Sequence, residues 1–279
     1  MKKTLFIATL AALSLSSCNF SSKIKDMTSL AKEEMKAQHE YRDSEKWGKV
    51  VEKDINITDF SSIQIGGAVD IVFTQGDSCS IRALGNEKAI ENYQFFLNDN
   101  ELVVNLEGFS WEKGNKNITQ DTPAITVFIT APSLNGITLY GAGDISVADS
   151  LSQTENLSID VYGAGDINLK SVSINNLTIN ISGAGDVSIK DATCQGNAKF
   201  SVQGAGDIDS KVKCANAAVS VKGAGDVDLD VECNELTAEC LGAGDIKLKG
   251  ECNVLRKKEG PIGGIDSRKL EVKNKTTIK

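Results

Sequence analysis

The sequence predicts an all-β protein, a right-handed parallel β-helix with about 20 residues in each coil. Apolar and polar residues alternate around a repeated turn, which is typical of half-buried strands and not of helices. Stacking the coils in parallel and in register satisfies every repeated position at once, and the general crossover rule makes the coil right-handed. The repeated turn is the tetrapeptide Gly-Ala-Gly-Asp, which begins at Gly141, Gly163, Gly183, Gly204, Gly223 and Gly242.

Apolar columns flank the tetrapeptide on both sides. The residues four positions before its first glycine are Ile137, Ile159, Ile179, Phe200, Val219 and Ala238. The residues four positions after that glycine are Ile145, Ile167, Val187, Ile208, Val227 and Ile246. Because side chains on a strand alternate between its two faces, these columns are expected to form the core.

The tetrapeptide itself is predicted to form a tight corner. We expect its glycines to adopt positive φ and its alanine to tuck into the corner. The aspartate is expected to accept hydrogen bonds from the amides that follow it, as in an Asx turn. Two looser copies, Gly67-Ala68-Val69-Asp70 and Gly263-Gly264-Ile265-Asp266, stand on either side of the repeats.

The N-terminus is predicted to be a lipoprotein signal peptide over residues 1–17. Lys2 and Lys3 precede an apolar run from Leu5 to Leu15 that is too short to span a membrane. The run leads into Ser16-Ser17-Cys18, which resembles the lipobox of bacterial lipoproteins, and the expected lipidation site is therefore Cys18. Ordinary secretion, with Cys18 unmodified, is the alternative.

Residues 18–50 are predicted to be the lipidated N-terminus and a polar tether, and residues 51–279 the β-helix domain. The tether contains His39, the one histidine of the chain, which excludes a Ser-His-Asp arrangement in the domain. Within the domain we expect irregular first coils over 51–122, regular coils over 123–252 and closing coils with a lysine-rich edge over 253–279. The stretch 107–122 lacks any period, and its Phe109 and Trp111 could stack on a ligand or cover the core edge.

The charge of the chain limits its partners. It carries 30 Lys and Arg against 38 Asp and Glu, and no local basic patch interrupts the excess of acidic residues. Such a protein is not expected to bind nucleic acid. No nucleotide-binding loop, and therefore no cofactor, is indicated.

The chain resembles the GIN-domain family of autotransporter-adhesin head domains, which is common in Bacteroidetes. The resemblance rests on the lipoprotein signal, the segment Phe60–Ile65 followed by Val69-Asp70-Ile71, and the Gly-Ala-Gly-Asp repeats, and covers roughly residues 50–270. It implies a parallel β-helix on a secreted or lipid-anchored protein with an adhesive or polysaccharide-related role. It implies no catalytic residues.

One row of candidate functional residues is formed by the aspartates of the tetrapeptides. Stacked about 4.8 Å apart, they repel one another unless amides, protonation or cations offset the charge. Three roles remain open: turn structure, a calcium row, or acid–base catalysis on a polysaccharide. Because the residue recurs identically in every coil, whereas catalysis needs one unequal pair, the pattern favours turn structure, with no catalytic residue and no dedicated metal site. The row comprises Asp144, Asp166, Asp186, Asp207, Asp226 and Asp245.

Two further rows are expected along the coil. The first row is Cys194, Cys214, Cys233 and Cys252, in the inward column that is also expected to hold Leu151 and Ser173. These cysteines are predicted to be reduced and to pack as small apolar residues, and disulfides between neighbouring coils are the alternative. Cys79 and Cys240 are expected to be reduced as well. The second is Asn156, Asn176, Asn197 and Asn216, predicted to hydrogen-bond from coil to coil.

These observations favour a non-enzymatic, lipid-anchored β-helix of the outer membrane that binds a polysaccharide or a surface protein. A polysaccharide-active lyase or hydrolase and a calcium-stiffened envelope scaffold are the alternatives.

Overall fold

The computed structural model describes residues 44–110 and 122–274, with side chains from Lys46 onward. Two short helices, α1 (Ser44–Trp47) and α2 (Glu87–Glu91), accompany the strands. In the described ranges no helix is long and apolar enough to cross a membrane. The strands are β1 (Val50–Ile55), β2 (Ser62–Gly66), β3 (Val69–Gln75), β4 (Ser80–Asn86), β5 (Tyr93–Asn98), β6 (Glu101–Leu106), β7 (Ile125–Ala131), β8 (Gly136–Leu139), β9 (Ile145–Ser152), β10 (Leu157–Val161), β11 (Ile167–Ile174), β12 (Leu177–Ile181), β13 (Val187–Cys194), β14 (Asn197–Val202), β15 (Ile208–Lys213), β16 (Asn216–Val221), β17 (Val227–Cys240), β18 (Ile246–Glu259) and β19 (Ile265–Val272).

The strands stack as a parallel β-solenoid of about seven turns, which confirms the predicted fold class. We call the strands that precede the tetrapeptide turns face A and those that follow them face B. On face A, β10 pairs in parallel with β8 and β12, and on face B β11 pairs in parallel with β9 and β13. Ile159 therefore lies between Ile137 and Ile179, as the columns of the sequence predict.

The core is a column of branched apolar side chains inside the coil. All twelve members of the two columns that flank the tetrapeptide are at most 2% exposed. Burying a side chain of this size stabilises a fold by about 1.5–3 kcal/mol. Because strand side chains alternate, the residues between them point outward and form repeated columns on the surface.

The glycines of the turn serve close packing and not the positive φ expected from the sequence. None of the twelve tetrapeptide glycines has positive φ. A Cβ added to Gly185 would instead overlap the carbonyl oxygen of Gly165 in the preceding coil, and the same holds for each glycine of the column. The backbones approach this closely because each turn hydrogen-bonds to the previous one, as the amide of Ala184 does to the carbonyl of Gly163 at 2.9 Å.

The alanine of the turn also departs from expectation. We expected it to tuck into the corner, but all six alanines are exposed, and the glycine that follows each one is buried. The inward position at this corner has no room for a methyl group, so glycine occupies it and alanine faces solvent. The exposed residues are Ala142, Ala164, Ala184, Ala205, Ala224 and Ala243.

The coils shorten along the chain through bulges in face B. The ladder shifts between Leu169 and Ser171, where β11 meets β9, and again between Ile189 and Ala192, where β13 meets β15. Each shift places an extra outward residue in the earlier coil, as a β-bulge does. The steps between successive tetrapeptides are 22, 20, 21, 19 and 19 residues, and each bulge accounts for one residue of these differences.

The first coils do not stack in chain order. The coil of β2 and β3 lies between the coil of β8 and β9 and the outer pair β6 and β7. Antiparallel strands close this end: β5 pairs with β6, and β4 pairs with both β7 and β1. The expected irregular first coils thus form a cap around an early, regular coil.

The two looser copies of the tetrapeptide behave differently. Gly67-Ala68-Val69-Asp70 stacks in register, since the amide of Ala142 donates to the carbonyl of Gly67 at 2.9 Å. The copy at Gly263 is displaced by two positions: Ile265 pairs with Ile246, so Gly264 and not Asp266 stands next to Asp245. The closing coil has the expected lysine-rich edge, with Arg256, Lys257 and Lys258 on β18.

Candidate functional site

The tetrapeptide aspartates form a continuous hydrogen-bonded ladder. Each carboxylate accepts a hydrogen bond from the backbone amide of the aspartate in the next coil, at 2.9 Å from Asp166 to Asp144 and 2.8 Å from Asp207 to Asp186. The ladder starts one coil earlier than the exact repeat, because the amide of Asp144 donates to Asp70 at 3.0 Å. It ends where the amide of Gly264 donates to Asp245.

This pattern corrects the Asx turn expected from the sequence. The donor is the amide of the next coil, and not an amide that follows the aspartate in its own turn. Each carboxylate therefore links two coils, and the amide dipoles offset part of the repulsion within the row. A role in turn structure is built into the geometry, as the identical recurrence of the residue predicted.

The ladder forms one side of an open acidic groove on face B. The groove encloses about 410 Å³, and its other side is the outward column two residues further along the chain. Lys247 closes one end, with its Nζ atom 3.7 Å from Oδ2 of Asp226. The polar residues that line the groove are Asp166, Asn168, Asp186, Ser188, Asp207, Asp209, Asp226, Asp228 and Lys247.

The groove lacks the arrangement of a metal centre. Among the described residues, no group of three or more His, Cys, Asp or Glu side chains could hold a metal ion. A row of carboxylates presents its oxygens along a line, whereas calcium needs six to eight oxygens around one point. A calcium row along the aspartates is an alternative that experiment can test.

The asparagine ladder predicted from the sequence forms at the other corner of the coil. Nδ2 of Asn176 donates to Oδ1 of Asn156 at 2.8 Å, and Nδ2 of Asn216 donates to Asn197 at 3.0 Å. Between them, the amide of Asn197 donates to Oδ1 of Asn176 at 2.7 Å. A further pair, in which Asn253 donates to Asn234 at 2.9 Å, was missed because it lies one position earlier in its coils.

The cysteine column is also present, and its thiols are free and largely buried. Cys194, Cys214 and Cys252 are at most 9% exposed. Burial raises the pKa of the Cys194 and Cys252 thiols to about 11.

The structure places Ile174, and not Ser173, opposite Cys194. Leu151 pairs with Val172 and is therefore not in the cysteine column either. The bulges in face B shift the count of residues between coils, which is why both positions were assigned wrongly.

The central pair of this column differs from its neighbours. The interaction between the neighbouring thiols of Cys214 and Cys233 lowers the pKa of Cys214 and raises that of Cys233. Cys79 and Cys240 are free as well. In the structure the cysteines of the column pack among the apolar side chains of the core.

The residues expected to stack on a ligand are only partly described. Trp111 lies outside the described residues, as do Cys18 and His39. The ring of Phe109 is half-buried against the core and lies over Gly66, where an added Cβ would be 2.7 Å from its Cδ1 atom. Phe109 thus covers the core edge at this position.

A tyrosine pair on face A was not singled out from the sequence. The rings of Tyr140 and Tyr162 stack with centroids 5.0 Å apart and planes 17° from parallel. Both residues directly precede a tetrapeptide, so the equal spacing that revealed the aspartates could have revealed them. The column continues with shorter or charged residues, Ser182, Gln203 and Lys222.

Stacked coils with repeated outward columns define a solenoid that presents extended surfaces. The chain belongs to the family described as putative auto-transporter adhesin, head GIN domain, whose model matches residues 59–251 and 197–277. This confirms the resemblance identified from the tetrapeptides. It supports an adhesin-like role at the cell envelope or surface.

Solved structures share the fold. A putative adhesin from Bacteroides fragilis is 26% identical, with a TM-score of 0.68 over 78% of this chain and 96% of that one. Putative adhesins from Parabacteroides distasonis and Parabacteroides merdae are 17% and 19% identical, with TM-scores of 0.62 and 0.59. Each match covers 78% of this chain, and 97% and 96% of the other. The comparison with curated proteins gives no match.

Proposed function

We propose that this protein is a non-enzymatic, lipid-anchored interaction module of the outer membrane, which binds a polysaccharide or a surface protein. The observation that carries the proposal is the regular stacking of the coils: outward columns run along both faces, and the tetrapeptide aspartate recurs in successive coils. Such a surface repeats its contacts along an extended partner, and many weak contacts then add up to stable binding. The adhesin-like family of the chain supports the same role.

The repetition also argues against catalysis. A hydrolase or lyase of polysaccharides needs a carboxylate pair in two different environments, so that one acts as acid and the other as base. The ladder aspartates instead share one environment, because each accepts the same hydrogen bond from the next coil. A polysaccharide-active enzyme is therefore the less supported alternative.

The experiment uses the chain from residue 18 onward, with Cys18→Ser to remove the acylated residue. Polysaccharides and proteins extracted from the bacterial envelope are immobilised and tested for binding, and the same polysaccharides are analysed for shortened or unsaturated products. We expect saturable binding without products. Product formation overturns the non-enzymatic assignment, and an absence of binding to either class overturns the interaction module.

The lipid anchor is a separate part of the proposal. Cys18 follows the apolar run at the position that lipobox cysteines occupy, and several acyl chains would suffice for stable anchoring. We expect Cys18→Ser to move the protein from the membrane fraction to the soluble fraction and to abolish labelling by radioactive palmitate. The matched control is Cys79→Ser, which should leave both unchanged. Retention of the label in the Cys18→Ser variant would contradict the anchor.

A further inference from the structure

The last strand of face B, β19, ends the solenoid with an open edge. Among the described residues it pairs with one strand only, β18, as in the pair of Gly250 with Leu270. The described chain does not turn back over this edge, because the amide of Asn274 donates to the carbonyl of Asn253 at 2.9 Å and so follows β18 toward face A. An open edge of this kind is a template for pairing with another strand.

The pairing of β19 with β18 determines which backbone groups the open edge presents. The amide of Lys273 donates to the carbonyl of Cys252 at 3.0 Å. Since the hydrogen-bonding direction alternates along a strand, the backbone of Glu271 also points to β18, and the amides and carbonyls of Leu270 and Val272 point away from it. A partner strand therefore meets hydrogen-bond donors and acceptors at these two residues.

Two charged side chains flank Leu270 on the outer surface of this edge. Lys269 and Glu271 are exposed, and within the described residues neither has an ion pair or a hydrogen bond. The neighbouring Arg268 differs, because its guanidinium binds the carboxylate of Asp266 at 2.7 Å. The edge therefore presents one positive and one negative charge on either side of a leucine whose side chain is buried.

A second copy of this chain is complementary to the edge. A twofold axis through Leu270 would pair the β19 strands of two copies in antiparallel, with Leu270 opposite Leu270. The backbone groups of this residue that point away from β18 would then bind each other as a hydrogen-bonded pair. Lys269 of each copy would lie opposite Glu271 of the other, and opposite charges on directly facing residues favour a pairing.

Other registers of the same pairing are less favourable. Pairing centred on Lys269 sets two lysines opposite each other, and pairing centred on Glu271 sets two glutamates opposite each other, which is repulsive in both cases. Pairing centred on Val272 would use Lys273, whose Nζ atom already lies 3.0 Å from Oε1 of Glu251. The register centred on the leucine is therefore the one that joins two opposite charges without an ion pair in the described chain.

We propose that the open edge of β19 pairs with the same edge of a second copy, in antiparallel and centred on Leu270, so that two solenoids form an end-to-end dimer. The face B sheets of the two copies then become one continuous sheet, and the leucines join the ends of the two cores. Lys269 and Glu271 determine the register. This self-pairing goes beyond the proposed binding of an envelope partner and does not depend on it.

The test uses the same soluble chain, kept under reducing conditions so that its free thiols do not join copies. Sedimentation velocity over a concentration series should show a monomer–dimer equilibrium. Lys269→Glu places two glutamates opposite each other at both contacts, and Glu271→Lys places two lysines there. Each single variant should therefore weaken dimerisation about tenfold or more, because two attractive contacts become repulsive.

Reversing both charges should restore the dimer. The double variant Lys269→Glu, Glu271→Lys has opposite charges in the reversed order and should dimerise as the original chain does. An equimolar mixture of the two single variants should form mixed dimers, although each variant alone is mainly monomeric at the same concentration. Neither rescue is expected in the register centred on Val272, because Glu271→Lys would then set two lysines opposite each other.

The matched control is Ile262→Ser, which removes an apolar side chain that is 78% exposed in the last turn, outside the paired stretch. It should dimerise as the original chain does, and each variant's melting temperature shows whether it remains folded. An original chain that stays monomeric throughout the series overturns the proposal. So does a dimer that persists in the folded single variants, a double variant that stays monomeric, or a dimer that Ile262→Ser abolishes.

Discussion

The backbone amide of Asp207 donates a hydrogen bond to Oδ1 of Asp186 at 2.8 Å, across two coils that are 21 residues apart in the chain. The same relationship joins every pair of neighbouring tetrapeptides. Because the acceptor of one coil meets the donor of the next, an aspartate is useful only where another coil follows it in register. The recurrence of the residue is therefore a consequence of stacking.

Replacement of Asp186 should separate its role as an acceptor from its role as a charge. Asp186→Ala leaves the amide of Asp207 without its partner, and we expect a loss of about 1 kcal/mol in the free energy of unfolding. Asp186→Asn retains an oxygen acceptor and removes one of several neighbouring like charges, so its stability should stay close to that of the original chain. Urea unfolding measures both. An Asn variant as unstable as the Ala variant would show that the charge, and not the hydrogen bond, stabilises the turn.

Replacement of Gly185 tests the close approach of the turns. In Gly185→Ala the added methyl group would overlap the carbonyl oxygen of Gly165, so the coils must separate locally. We expect a loss of about 3 kcal/mol, at the upper end of the usual range for core overpacking.

The neighbouring Ala184 supplies the control for this prediction. It is exposed, and Ala184→Ser should change the stability by no more than about 0.5 kcal/mol. Thermal and urea unfolding of both variants give the comparison. Similar stabilities for the Gly185→Ala and Ala184→Ser proteins would show that the turn can open without cost.

The solenoid could be predicted from the sequence because its cause is periodic. Ile159 and Ile179 must face inward on successive coils, and a spacing of about 20 residues then defines the coil length. The sequence could not show why glycine occupies two positions of each turn, because a positive φ and a close approach of two backbones both favour a residue without a Cβ atom. Only the position of Gly165 beneath Gly185 distinguishes the two.

Local irregularities escaped prediction for a related reason. The bulge between β13 and β15 moves the cysteine column from eleven to ten residues after the first glycine. A count of ten residues therefore gives Ser173, whereas Ile174 is the residue that pairs with Cys194. At the first coils, β6 and β7 stack outside β2 and β3, an order that depends on contacts between distant segments. The tyrosine pair repeats only once, and a pair of residues gives a much weaker periodic signal than six aspartates do.

Ser210 offers a stabilising substitution. It occupies the inward column between Ile189 and Leu229, is 1% exposed, and its hydroxyl has no hydrogen-bond partner. A buried hydroxyl without a partner costs about 1–3 kcal/mol. We therefore expect Ser210→Ala to raise the free energy of unfolding by about 1 kcal/mol, measured in urea. Lys211→Ala, at the adjacent exposed position, is the control, and a destabilised Ser210→Ala protein would contradict the prediction.

The buried thiols should make the protein sensitive to alkali. In the unfolded chain they ionise near their usual pKa of 9.0, whereas burial raises the pKa of Cys194 and Cys252 to about 11 in the fold. The raised pKa means that the contribution of these thiols to stability is complete below pH 9 and is lost as the pH rises toward 11. Unfolding in urea at about pH 8 and about pH 10.5 should reveal this loss.

The double variant Cys194→Ala, Cys252→Ala is the comparison for alkaline unfolding. The double variant loses packing and is expected to be less stable at both pH values. The difference in its free energy of unfolding between about pH 8 and about pH 10.5 should be smaller, because two thiols with raised pKa are gone. Cys79 lies outside the cysteine column, so Cys79→Ala is the control and should retain the full difference between the two pH values. An unchanged pH dependence in the double variant would assign the alkaline effect to other groups.

Calcium should not stabilise the aspartate ladder specifically. One oxygen of each ladder carboxylate already accepts an amide hydrogen bond, and like residues are separated by about 4.8 Å along the coil. Calcium binds six to eight oxygens at about 2.3–2.6 Å, so a straight row cannot surround it without breaking the hydrogen bonds between coils. We expect the melting temperature in about 1 mM calcium to equal that in magnesium at the same concentration and to be unaffected by a chelator. A rise that only calcium produces, and that Asp207→Asn removes, would instead support a calcium-stiffened scaffold, because a cation would then be binding between coils where the groove is most acidic.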